Sequence, residues 1–109
     1  MTNLIDANIK NKEIREKFNQ FVSELKSMNC GVLVCKTWST QLAIRFSKNI
    51  RLDEATCSEV LIDVNHGEVK CIHVDMTEGE NQINFSHDVR EIRLDRMFKI
   101  LERIIVWIS

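Results

Sequence analysis

A chain of 109 residues, 44% hydrophobic and 28% charged, holds enough apolar material for one core without metal or disulfide staples. Disorder is excluded by that balance, and no stretch approaches the ~20 apolar residues that cross a bilayer as a helix. The net charge of −1 conceals an uneven distribution: residues 57–88 carry seven acids against Lys70 alone, while both flanking stretches are mildly basic.

With no proline and three glycines there is no candidate linker, so residues 1–109 read as a single domain, with residues 1–10 expected to be a flexible or loosely packed lead-in. The opening residues lack the basic and apolar regions of a secretory signal. A cytoplasmic setting is therefore expected, with Cys30, Cys35, Cys57 and Cys71 as thiols rather than a disulfide framework.

Residues 11–31 carry Ile14, Phe18, Phe21, Val22, Leu25 and Met28 on one face of a 3.6-residue period, which predicts a helix. Asn11 is the expected N-cap, and Gly31 stands where a left-handed C-terminal residue is wanted. The next two segments, 32–38 and 41–47, alternate with period two. A turn at Ser39 and Thr40 sets Thr37 opposite Leu42, Cys35 opposite Ile44 and Leu33 opposite Phe46, all on one face. Val32, Val34, Lys36, Trp38, Ala43 and Arg45 then take the other face.

A second hairpin turns at His66 and Gly67, pairing Val64 with Val69, Asp63 with Lys70, and Ile62 with Cys71. Its inner face collects Val60, Ile62, Val64, Val69, Cys71 and His73, leaving Leu61, Ile72 and Val74 outside. Residues 81–85 predict a short fifth strand with Ile83 and Phe85 inward. From Leu94 the period is helical again, with a start expected near Asp95; a capping box of Asp88 and Glu91 would set it at Asp88 instead. The nearly all-apolar end of that helix predicts a buried or paired terminus. The fold class is α+β: an N-terminal helix, an antiparallel sheet of four to five strands (two hairpins plus a short strand), and a C-terminal helix. At fold level this order resembles small secretion chaperones and roadblock-type dimerising modules. Residues 49–56 are short for the extra helix those families place between strands, and no functional residue carries across.

Chemistry is sparse. Cys71 and His73, two apart on a strand, share a face as two metal ligands do, but His66 lies about 16 Å away at ~3.3 Å per residue. There is no CxxC or HxxxH pair, so no metal, no cofactor and no catalytic residue is expected. Without a phosphate loop or nucleophile motif, the chain does not read as an enzyme, and a small enzyme with a cysteine or histidine site is the least favoured alternative. The expected function is stoichiometric binding of another protein, as an inhibitor, immunity protein, adaptor or chaperone. The surface would be an apolar sheet face of Val32, Val34, Trp38, Arg45, Leu61, Ile72 and Val74, rimmed by Glu78 and Glu80. Self-association as a homodimer competes with that picture. The alternative is nucleic-acid binding along Arg93, Arg96, Lys99 and Arg103 of the last helix, where Glu91, Asp95 and Glu102 interrupt the basic ridge. No membrane partner is expected.

Overall fold

The computed structural model describes residues 3–53, 56–77, 83–88 and 94–109, with 83–88 and 94 described as backbone alone. It opens with a short helix, α1 (Leu4–Asn8), capped by Asn3, whose side-chain oxygen accepts from the Asp6 N–H at 2.8 Å. Ile5 and Ile9 point into the core and are 2% and 1% exposed. Asn19 of the next helix donates to Asp6 at 2.8 Å, and the Lys10 N–H donates to the Gly67 carbonyl at 2.8 Å. Residues 3–10 are thus packed, correcting the expectation of a loose lead-in. Two isoleucines one helical turn apart suffice to anchor five helical residues, but they are too few to reveal a period.

Helix α2 (Lys12–Ser27) follows, with Asn11 capping the Ile14 N–H and Ile14, Phe18, Phe21 and Leu25 buried, as the period predicts. Its C-terminus is a Schellman motif: the Cys30 N–H bonds the Leu25 carbonyl, and the Asn29 N–H bonds the Lys26 carbonyl. Asn29, at φ 60°, takes the left-handed position expected of Gly31. Gly31 serves instead for close approach, since a Cβ there would lie 2.7 Å from the Asn49 carbonyl oxygen.

The sheet is an antiparallel meander of β1 (Gly31–Trp38), β2 (Gln41–Ser47), β3 (Ser58–Asn65) and β4 (Glu68–Met76), with β5 (Ile83–Asp88) paired to β4. The expected positions of Ile83 and Phe85 lie outside the described side chains. Helix α3 (Leu94–Ile108) closes the fold, starting one residue before the expected point.

Both hairpins depart from simple pairing by one inserted residue. Near its turn β1 follows the expected register, Trp38 opposite Gln41, but Lys36 already pairs with Leu42, which leaves Thr37 as a bulge. In the second hairpin Val64 pairs with Val69 as expected, but Asp63 pairs with Cys71, so Lys70 is the extra residue. A one-residue slip turns every later side chain to the opposite face. Val32 and Val34 therefore pack against the core. Ile72 and Val74, at 0% and 2% exposed, belong to it. Leu33, Cys35, Cys71 and His73 look outward. Energetics favour the slip: burying Ile72 and Val74 is worth about 1.5–3 kcal/mol each, against roughly 1 kcal/mol for a lost ladder hydrogen bond.

One core results. Phe18, Phe21 and Leu25 of α2 and Met97, Leu101, Ile104 and Ile108 of α3 cluster with Leu42, Ile44, Phe46, Val60, Ile62, Ile72 and Val74 from one face of the sheet. Phe21 meets Phe46 edge-on, with ring centroids 5.8 Å apart. Lys17 of α2 lies 5.3 Å over the Phe98 ring of α3, so the helices lie side by side over that face. At the end of α3, Ile104 and Ile108 are buried while Val106 and Trp107 are exposed. The expected buried terminus is therefore only half realised. No helix among the described residues is long and apolar enough to cross a membrane.

Candidate functional site on the open sheet face

With both helices on one side, the other side of the sheet carries no covering element among the described residues. It presents Leu33 and Cys35 from β1, Ala43 and Arg45 from β2, Glu59, Leu61 and Asp63 from β3, and Cys71, His73 and Asp75 from β4. Ala43 is too small to emerge between its neighbours and is buried. Trp38, at the first hairpin turn, stands 73% exposed.

Polar order runs across this face. Glu59 lies between Arg45 on one side and Asp75 on the other, so two acids meet directly across β3 and β4. Arg45 approaches Glu59 at 3.5 Å and offsets one of them. At the hairpin tip Lys70 donates to Glu68 at 2.7 Å. That hydrogen bond, and then the lysine charge, hold the Glu68 carboxyl below its ordinary value.

A chain of contacts links the two hairpins. The bulge residue Thr37 donates to the Gln41 side-chain oxygen at 2.7 Å, and Gln41 Nε2 donates to Asp63 Oδ1 at 2.9 Å. The other oxygen, Asp63 Oδ2, lies 3.4 Å from His73 Nε2. The same nitrogen lies 3.4 Å from Cys71 Sγ. Asp63, Cys71 and His73 thus bring an oxygen, a sulfur and a nitrogen within 4.8 Å of one another. A nucleophile relay places the thiol on one imidazole nitrogen and the carboxylate on the other. Here both address Nε2, which makes the group a convergence of donors instead of a relay.

The expected surface is redistributed accordingly. Trp38, Arg45 and Leu61 belong to the open face. Val32, Val34, Ile72 and Val74 do not, because the two bulges turn them to the helical side. Glu78 and Glu80 lie outside the described residues. Arg96, Lys99 and Arg103 project from the exposed side of α3 among Asp95 and Glu102, and Arg93 lies outside the described residues. The spacing of Cys71 and His73 correctly put them on one face. Asp63 was missed as their neighbour because simple pairing sets it opposite Lys70. The signal for the slip was present: Ile72, Val74 and Met76 form a stronger apolar alternation than Cys71, His73 and Asp75. All four cysteines are thiols. No family model, curated protein or solved structure matches this chain.

Proposed function

We propose that this protein is a non-enzymatic, cytoplasmic binding module that docks another protein stoichiometrically on its open sheet face. The observation behind the reading is the one-sided placement of the helices, which leaves a broad face with Leu33 and Leu61 on it and an exposed Trp38 at its corner. Tryptophan and arginine are both over-represented among the few residues that dominate interface energetics. Glu59, Asp63 and Asp75 outnumber Arg45 there, so the fitting partner presents an apolar patch ringed by lysine and arginine. Four cysteine thiols suit a reducing compartment. For the Arg96–Lys99–Arg103 ridge, nothing beyond exposure favours nucleic acid over solvent.

The test is native mass spectrometry of the protein from its own cells, followed by titration of the identified partner against wild type, Trp38→Ala and Leu33→Arg. Both variants are expected to keep their circular dichroism and lose at least tenfold in affinity, the arginine by repelling a basic rim. Wild-type affinity in both folded variants would place the interface elsewhere and remove this reading.

A further inference from the structure

We propose that Asp63, Cys71 and His73 form a binding site for a zinc-class divalent ion. The proposal stands apart from the docking reading, because it concerns three side chains and needs no partner. Its first support is donor type: a thiolate, an imidazole nitrogen and a carboxylate oxygen are the ligands zinc takes, and the mixture of soft and borderline donors disfavours calcium and magnesium.

Geometry is the second support. Zinc sits about 2.0–2.1 Å from nitrogen and oxygen and about 2.3 Å from sulfur, which places tetrahedral neighbours about 3.4–3.6 Å apart. His73 Nε2 stands 3.4 Å from Cys71 Sγ and 3.4 Å from Asp63 Oδ2, so two edges of that tetrahedron already have their length. The third pair also lies within 4.8 Å. An ion entering here needs only small rotations of side chains that are partly exposed, His73 at 43% and Asp63 at 38%.

The third support is the surrounding shell. Metal-binding carboxylates are commonly held by a further hydrogen bond that fixes which oxygen faces the ion. Gln41 Nε2 takes Asp63 Oδ1, leaving Oδ2 toward His73, and Thr37 in turn fixes Gln41. Both bulges serve the site: the one at Lys70 brings Cys71 opposite Asp63, and the one at Thr37 supplies the outermost support. Three protein donors leave a fourth position, filled by water, on the open side of the sheet.

The experiment is a titration of the reduced, metal-stripped protein with Co²⁺ followed by Zn²⁺, read by absorption. Expected is saturation at one equivalent, with a thiolate-to-cobalt charge-transfer band and the intense visible bands of a tetrahedral centre, both abolished when Zn²⁺ displaces the cobalt. Cys71→Ser removes the charge-transfer band, whereas Cys35→Ser keeps it. Gln41→Ala weakens binding about 10- to 100-fold, the usual effect of losing such a supporting contact. Circular dichroism confirms that each variant is folded. Absence of a saturable band in the folded wild type, or its persistence in Cys71→Ser, overturns the proposal.

Discussion

Ser58 shows how much one side chain can hold together in this fold. It is buried completely at the start of β3, and its hydroxyl accepts from the Thr77 N–H at 2.9 Å, just beyond the end of β4. The Thr77 hydroxyl donates in turn to the Thr56 carbonyl at 2.6 Å. The pairing of β3 with β4 is thereby closed by side chains at the end farthest from the hairpin turn. Ser58→Ala removes the acceptor of this part-buried hydrogen bond, a loss of about 0.5–1.5 kcal/mol. The expected result is a urea midpoint lowered by that loss divided by the slope, with the slope itself unchanged. An unchanged midpoint would mean that water replaces the hydroxyl. None of this was legible beforehand, since a serine between a cysteine and a glutamate carries no pattern of its own. Asn29 is similar: its left-handed conformation was assigned to Gly31, although asparagine is the next residue to tolerate it.

Among the elements, α2 was legible in full because sixteen residues offer four turns of consistent apolar spacing and an asparagine cap. The strands were legible as strands, and the His66–Gly67 turn as a tip, since both residues adopt the positive φ that a tight hairpin requires. Their registers were not, because a bulge leaves no local mark; it appears only when burial of the whole strand is compared. The two bulges explain most of the error in the expected binding surface. They also explain why the metal-type cluster stayed hidden with two of its three members in view. Deleting Lys70 tests this cause. Without the extra residue, Val69 still pairs with Val64 and Cys71 with Asp63, now in unbroken alternation, so Ile72 and Val74 stay inward and Cys71 and His73 stay outward. Expected is a cooperative melt within about 1 kcal/mol of wild type, the scale of a single ladder hydrogen bond. A protein largely unfolded by circular dichroism would show that the sheet needs the bulge itself and not only the register beyond it.

At the scale of the whole molecule, a five-stranded meander with both α2 and α3 on one side divides the chain into a dry half and an open half. Both tryptophans fall outside the dry half: Trp38 at 73% and Trp107 at 46% exposure, on the sheet corner and on the end of α3. With no tyrosine in the sequence, intrinsic fluorescence reports those two sites alone. A folded protein of this kind should emit like solvated indole and be quenched efficiently by iodide, which is unusual when a core is otherwise complete. Replacing Trp107 with Phe isolates Trp38. If the open face docks a different protein, Trp38 emission stays red and quenchable at every concentration of the purified chain, and moves to the blue when the partner is added. If two copies of the chain meet on that face instead, the blue shift develops with protein concentration alone and follows the dimer mass in sedimentation. A shift confined to Trp107, observed in the Trp38→Phe protein, would move the interface to the apolar end of α3, where Val106 is 74% exposed. The emission of two indoles thus separates a face that waits for another protein from one that meets its own copy.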